Sequence, residues 1–182
     1  MHDNHSKLMK LAINEAVKAG QNDEVPIGAV IVAESGEILS LAHNSTIKLS
    51  DPTAHAEILA LRMAAKKLLN YRLLNTTLYV TVEPCIMCMG AIIHARVSRI
   101  VFGTNDPKWG AAGSLYNFAN DSRLNHHPEI IGGVCKDECK SLIQDFFRSK
   151  RNPNDGMKYY ISKNKTVQPL RHKGTKKGYE VY

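Results

Sequence analysis

Residues 78–103 read LYVTVEPCIMCMGAIIHARVSRIVFG, and this stretch decides the fold. It starts within TTLYVTV (76–82), a run of β-branched and aromatic residues that predicts a strand. Pro84 ends that strand and suits a helix N-terminus, so CIMCMGAIIHA (85–95) is predicted to form an apolar helix. SRIVFGT (98–104) predicts a second strand. The centre of the chain is therefore expected to be strand, helix, strand.

Apolar spacing predicts further helices and strands on both sides of this stretch. AHAEILALRMAAKKLL (54–69) is rich in helix formers, and IGAVIVA (27–33) followed by EILSLAHN (37–44) predicts a hairpin. The other predicted segments are a helix at 6–19 that Ser6 caps, a loop at 105–128, a weak strand at 129–134 and a helix at 135–151. This order predicts an α/β fold, a three-layer α/β/α sandwich with a five-stranded mixed sheet.

The charge of the chain is unevenly distributed. Its 182 residues are 43% hydrophobic and 23% charged, which suits one domain with a substantial core, and the formal net charge is +7. Residues 148–182 hold ten lysines and arginines against two acidic residues. We predict a folded domain over 1–151 and a basic tail over 152–182. Charge alone leaves two roles open for the tail, solubility and attraction to a polyanion.

Several protein classes are excluded by composition. The N-terminal residues MHDNHSKLMK lack the apolar region of a secretory signal, and the apolar stretch 85–95 is too short to span a membrane. Four cysteines are too few for a disulfide scaffold of this length. We therefore expect a cytoplasmic protein with no membrane partner, whose reduced thiols are available as metal ligands.

Two short motifs, each at a predicted helix start, predict a zinc site. Cys85 and Cys88 are spaced i, i+3, so both sulfurs can reach one ion, and a helix N-terminus favours thiolates. His55 is the best candidate for a third ligand. Two thiolates and one neutral imidazole balance the charge of Zn²⁺ and leave a fourth position open, as in catalytic sites.

Glu57 fits this site as a residue that does not bind the metal. A carboxylate beside zinc-activated water can accept its proton and pass it on, as a hydrolytic reaction at an electrophilic carbon requires. The alternative is a closed structural site completed by His94, Cys135 or Cys139. We interpret Cys135 and Cys139 as core residues, because the helix predicted around them offers no further ligand.

The chain resembles the bacterial tRNA-specific adenosine deaminases of the zinc-dependent cytidine/deoxycytidylate deaminase superfamily, whose shared motif is HAE followed by PCxxC. The resemblance covers roughly residues 6–151. It is carried by VPIGAVIV (25–32), DPTAHAEI (51–58), NYRL (70–73), residues 78–103, GAAGS (110–114), LNHHPEI (124–130) and DFFR (145–148).

This resemblance implies a cytidine deaminase-like fold. It also implies hydrolytic deamination of adenosine to inosine at the wobble position of a tRNA anticodon, usually that of an arginine tRNA. It also implies a homodimer, a tRNA anticodon arm as partner and no DNA partner. One Zn²⁺ per subunit would be held by His55, Cys85 and Cys88. Glu57 would be the catalytic proton shuttle.

The resemblance further implies substrate-binding residues. Asn44 would hydrogen-bond the target base, and backbone groups at Glu83 would help hold the reacting centre. The flanking nucleotides and the RNA backbone would meet Asp106, Lys108, Arg148 and Arg151. Whether Trp109 stacks on a base or only covers its loop stays open at this point.

Two other functions remain to be distinguished. A deaminase of a free base or nucleoside, such as guanine or cytosine, would use the same zinc chemistry. A nucleic-acid-binding module with a structural zinc would need a fourth protein ligand.

Overall fold

The structure, a computed structural model, describes residues 2–151; the predicted basic tail at 152–182 lies outside the described residues. Five helices, five strands and one short 3-10 turn make up this part of the chain. In chain order they are α1 His2–Gln21, β1 Gly28–Ala33, β2 Ile38–His43, α2 Thr46–Leu49, α3 Ala56–Leu68, β3 Thr76–Val82, α4 Ile86–His94, β4 Arg99–Thr104, the 3-10 turn Phe118–Asn120, β5 Glu129–Gly132 and α5 Lys136–Arg151.

All five strands form one mixed sheet in the order β2-β1-β3-β4-β5. β1 is antiparallel to both β2 and β3, whereas β3, β4 and β5 are parallel to one another. The carboxyl ends of β3 and β4 therefore lie at the same end of the sheet as the start of β1 and the end of β2. The loops that leave this end carry the predicted site residues.

The helices cover both faces of the sheet, as predicted. α3 and α4 pack on one face over the larger apolar core, which includes Ile31, Leu78, Val80 and Ile100. α1 and α5 pack on the other face, over Val30, Tyr79 and Val101. Helices cover both faces of the sheet, so nearly every residue of the central strands β1 and β3 is buried, and most of these residues are apolar. None of the described helices is long and apolar enough to cross a membrane.

Some predicted boundaries were wrong. α1 begins at His2, so Ser6 is not its cap. β5 ends at Gly132 because Gly133 has a φ of +88°, and α5 follows Cys135, whose φ is +53°.

α2 was not predicted. It is four residues long and lies directly after β2. The Thr46 hydroxyl donates to Glu24 Oε2 at 3.0 Å, and the Lys48 N–H donates to Glu24 Oε1 at 2.8 Å. Glu24 is buried, so its carboxylate fixes α2 from a distant part of the sequence.

Gly28 allows α1 to approach the sheet closely, and Gly28→Ala is expected to destabilise the fold by about 3 kcal/mol. An added Cβ would lie 2.0 Å from the Ala12 carbonyl oxygen and 2.5 Å from the Ala16 nitrogen, so the helix backbone would have to move. Gly90→Ala is the matched control, since the added Cβ would meet no atom within 4 Å outside its own turns of α4. Urea unfolding should show a loss for Gly28→Ala only; equal midpoints for the two variants would contradict this packing argument.

Candidate metal centre and active site

Two helix N-termini bring the three predicted metal ligands together. His55 is the N-cap of α3 and Cys85 is the N-cap of α4, both with extended backbone, while Cys88 lies one turn into α4. The ligands are separated by β3 in the sequence and meet only because α3 and α4 share one face of the sheet. Among the described residues, His55, Cys85 and Cys88 are the only such group of potential ligands, with their ligand atoms within 4.8 Å of one another.

The spacing of these atoms fits a zinc ion. His55 Nδ1 lies 3.7 Å from Cys85 Sγ and 3.6 Å from Cys88 Sγ. Zinc bonds of about 2.3 Å to sulfur and about 2.0 Å to nitrogen at tetrahedral angles separate the ligand atoms by about 3.6 Å. One nitrogen and two sulfurs also form a ligand set that zinc favours.

The two thiols differ in their affinity for a proton. A hydrogen bond from Cys88, together with one from His55, lowers the pKa of Cys85 to about 4. The same hydrogen bond to Cys85, with burial, raises the pKa of Cys88. The pKa of His55 is raised, first by its hydrogen bond to Cys85. The pair therefore carries one negative charge readily, and a divalent cation would supply the positive charge that favours a second thiolate.

Glu57 lies in the first turn of α3, beside the ligands. Its side chain is 3% exposed, and Oε2 has no hydrogen-bond partner among the described residues. Burial raises the pKa of this carboxyl to about 7. A buried polar atom without a partner is rare and requires an explanation, which a ligand or water at the metal centre would provide.

Among the side chains that the structure describes, no fourth His, Cys, Asp or Glu joins this cluster. His94 is exposed at the other end of α4, in a groove between α3 and α4. Cys139 is buried in the core between the sheet and α5, with Cys135 partly buried beside it, and this core lies on the opposite face from Cys85 and Cys88. The geometry therefore favours a three-ligand metal site in which the fourth coordination position is open.

Asn44 directly follows β2, and its side chain links this strand to the start of α3. The side-chain oxygen accepts a hydrogen bond from the Ala56 N–H at 2.8 Å, so Asn44 caps α3 in place of a neighbouring residue. Sequence reasoning did not anticipate this cap. Asn44 is buried, and the N–H that its side chain accepts belongs to the residue directly after His55. Its side-chain NH₂ group still has hydrogen atoms that it could donate to a bound ligand.

Glu83 follows β3 directly, and its backbone and side chain are both engaged. Its N–H donates to the Thr104 carbonyl at 2.8 Å, and the carbonyl of the next residue, Pro84, accepts from the Ala111 N–H at 2.9 Å. The side-chain carboxylate accepts hydrogen bonds from the loop that follows β4. Sequence reasoning missed this role of the side chain, although a glutamate directly after a buried strand is an available signal.

The loop after β4 carries Asp106, Lys108 and Trp109. Asp106 Oδ1 accepts the N–H groups of Lys108 at 2.9 Å and Trp109 at 3.2 Å, so this carboxylate shapes the turn. Lys108 and Trp109 are exposed.

The remaining predicted contacts, Arg148 and Arg151, lie in the last turn of α5. Arg148 pairs with Asp145, and Lys150 pairs with Asp23 after α1. Exposed ion pairs of this kind contribute about 0–1 kcal/mol, so a phosphate can displace them at little cost.

Comparison with known proteins identifies the class that this fold and site define. A family model for the cytidine and deoxycytidylate deaminase zinc-binding region matches residues 2–104, which include all three predicted ligands and Glu57. The chain belongs to this family of zinc-binding deaminases. The prediction of an enzyme that hydrolyses a C–N bond is therefore confirmed.

Within that class, the chain is similar to tRNA-specific adenosine deaminases. It is 50% identical to the enzyme of that name from Haemophilus influenzae over 80% of this chain and 84% of the relative. It is 45% identical to the Bacillus subtilis enzyme over 85% and 95% of the two chains. A structure from a study of A-to-I editing by tRNA:A34 deaminases at the wobble position shares 43% identity, covers 75% of this chain and 98% of its own, and gives a TM-score of 0.72.

Proposed function

We propose that this protein is a zinc-dependent enzyme that catalyses the hydrolytic deamination of adenosine to inosine at the wobble position of a tRNA anticodon. The observation that carries this proposal is a His/Cys/Cys cluster with the buried carboxylate of Glu57 beside it, whose Oε2 has no hydrogen-bond partner among the described residues. The tRNA substrate is supported by the names of its relatives. The deaminase domain would comprise residues 1–151, with one zinc ion per subunit held by His55, Cys85 and Cys88.

The overall reaction adds water to C6 of the purine and releases ammonia. When bound, zinc would act as a Lewis acid that makes water nucleophilic near neutral pH. Glu57 would accept one proton as the water oxygen bonds to C6 and deliver it to the ring nitrogen. It would then accept the remaining proton from the hydroxyl on C6 and deliver it to the amino group, so that ammonia leaves as the C–N bond breaks and the C6 carbonyl forms. A carboxyl whose pKa is raised to about 7 by burial suits both acceptance and donation of protons.

The remaining proposed contacts would bind the anticodon loop, whose bases are already largely unstacked. The Asn44 side-chain amide would donate to the flipped base while its oxygen caps α3. The backbone at Glu83 would lie next to the reacting centre. Asp106 would act through the turn it forms, whereas the side chains of Lys108, Arg148 and Arg151 would meet phosphates.

The experiment that tests this function offers the purified enzyme several substrates in parallel. An arginine tRNA with adenosine at the wobble position should be converted to its inosine form, detected by sequencing or nucleoside mass spectrometry. Free adenosine, guanine and cytosine should be turned over at least about a hundredfold less efficiently, because they lack the flanking contacts. Turnover of a free base or nucleoside alone would contradict the proposal.

We also propose that two copies of the chain pair, and that the enzyme acts in the cytoplasm, where tRNAs serve translation. An apolar groove of about 480 Å³ between α3 and α4 is lined by Ile58, Leu61, Met87 and Ala91. Tyr71 at its edge is 69% exposed, and such patches typically mark protein interfaces. Sedimentation equilibrium should give twice the chain mass, and a monomer at micromolar concentration would contradict pairing.

Truncation after Asn152 is expected to weaken tRNA binding in a salt-dependent way. The removed segment carries seven basic and two acidic residues, and neutralising phosphates releases counterions. At 50 mM salt the truncated chain should bind tRNA about tenfold more weakly, with kcat unchanged, and the gap should close at higher salt. Binding titrations at several salt concentrations measure this, and parallel salt slopes for the two chains would exclude an electrostatic role of the tail.

A further inference from the structure

The carboxylate of Glu83 is the centre of a hydrogen-bond cluster outside the metal ligands. Its side chain is 2% exposed, yet it lies at the carboxyl end of β3, two residues before Cys85. Within the part of the chain that the structure describes, every hydrogen bond that this carboxylate accepts comes from residues 105–114, which we call the 105–114 loop. The donors are the N–H groups of Asp106, Ala112 and Ser114, the side-chain amide of Asn105 and the hydroxyl of Ser114.

These donors are divided between the two carboxylate oxygens of Glu83. Oε1 accepts from Ala112 at 3.0 Å and from Ser114 at 2.9 Å, whereas Oε2 accepts from Asp106 at 3.1 Å and from Asn105 at 3.4 Å. The Ser114 hydroxyl also donates to Oε2. Both oxygens must therefore be acceptors, a requirement that a carboxylate meets and a neutral amide does not.

The loop backbone encloses this carboxylate at Gly110. A Cβ added there would lie 2.5 Å from Glu83 Cδ, 2.6 Å from Glu83 Oε2 and 2.5 Å from the Asp106 carbonyl oxygen. The next residue, Ala111, donates its N–H to the Pro84 carbonyl. The loop is thus attached to the residues that directly precede the metal ligand Cys85.

The 105–114 loop presents exposed groups suited to RNA. Trp109, the only tryptophan of the chain, is 63% exposed, and Lys108 beside it is also exposed. Aromatic faces stack on unpaired bases, and lysine binds phosphate. Because the Glu83 carboxylate is buried beneath the loop, its own side chain does not present a group to the substrate.

We infer that Glu83 is a positioning residue: its carboxylate holds the 105–114 loop against the start of α4, so that Trp109 and Lys108 are fixed beside the reacting base. The RNA-facing part of this inference rests on the proposed function. The attachment of the loop does not, because it follows from the hydrogen bonds alone.

The first test is Glu83→Gln, which preserves the side-chain shape but places an NH₂ group against buried N–H donors. We expect unchanged zinc content, a KM for tRNA raised about tenfold and a kcat within about threefold of wild type. Because Trp109 is the only tryptophan, time-resolved fluorescence anisotropy reports on this loop alone. The fast, local component of its decay should about double when the loop is released.

Gly110→Ala provides a second, independent variant, because its Cβ would displace the loop while Glu83 stays intact. It should reproduce the higher KM and the faster local motion of Trp109. Glu129→Gln is the matched control: Glu129 is an exposed glutamate on β5 that pairs with Arg99, away from the loop. This control should leave KM and anisotropy unchanged.

Two results would overturn the inference. One is an anisotropy decay in both Glu83→Gln and Gly110→Ala that matches wild type. The other is a smaller fraction of active enzyme in these two variants with an unchanged KM for tRNA, which is the behaviour expected of residues that only support folding. If wild-type enzyme deaminates no tRNA, the proposed function fails, whereas the Trp109 measurement still decides whether Glu83 holds the loop.

Discussion

Glu57→Gln should reduce the rate of deamination by at least about 10²–10⁴-fold, the usual contribution of a general acid–base group. Glutamine matches the shape of glutamate but cannot accept a proton from water near neutral pH. His55, Cys85 and Cys88 remain in place, so the variant should still bind about one zinc per chain. Inosine formation under single-turnover conditions and metal content by mass spectrometry are the two measurements.

Glu15→Gln is the matched control for Glu57, since both carboxylates are buried. Glu15 lies on α1 and bonds the His43 ring at 2.7 Å, across the sheet from the metal centre. Because it touches none of the metal ligands, its loss should cost about 1 kcal/mol of stability and leave the rate within about twofold. A Glu57→Gln enzyme with full zinc content and a rate within tenfold of wild type would exclude Glu57 as the proton shuttle.

Cys88→Ala is expected to eliminate both zinc binding and activity. It removes one of three ligands, and a site with one imidazole and one thiolate no longer balances the charge of Zn²⁺. We expect less than about 0.1 zinc per chain after dialysis and no inosine above background. Metal analysis does not depend on activity, so it tests the ligand role by itself.

Cys139→Ala provides an unusually close control. Cys88 and Cys139 are both fully buried, but Cys139 lies between α5 and the sheet, where its sulfur packs against Gly103. Its replacement should cost about 1 kcal/mol of stability and leave zinc content and activity intact. If zinc were lost from Cys139→Ala and retained by Cys88→Ala, the assignment of the metal centre would be wrong.

Local sequence patterns predicted most of the helices and strands, because the formation of these elements depends largely on residues that are close together in the sequence. The run TTLYVTV was predicted as a strand and is β3, Thr76–Val82. The order of segments also predicted the three layers and the five-stranded mixed sheet, which are confirmed. Boundaries were less predictable: α1 extends to His2, and positive φ values at Gly133 and Cys135 set the end of β5 and the start of α5.

Features that depend on distant residues could not be predicted in this way. α2 exists because Glu24 binds Thr46 and Lys48, more than 20 positions further along the chain. Glu83 was expected to act through its backbone, and no local pattern indicates that its side chain meets Ala112 and Ser114. By contrast, the HAE and PCxxC motifs indicate the cluster of His55, Cys85 and Cys88 directly, because each motif depends on only a few successive residues at a helix start.

The Lys150–Asp23 ion pair has a consequence for how a large substrate would arrive. Asp23 directly precedes Glu24, whose carboxylate accepts hydrogen bonds from α2. In the same connection between α1 and β1, the Ile27 carbonyl accepts a hydrogen bond from the Asn44 N–H. The last turn of α5 therefore lies near the end of the sheet where β1 starts, which is also the end that carries the predicted metal ligands. Residue 152, where the positively charged extension starts, follows immediately. Long-range capture of a nucleic acid and its local docking would thus be directed to a single pole of the molecule.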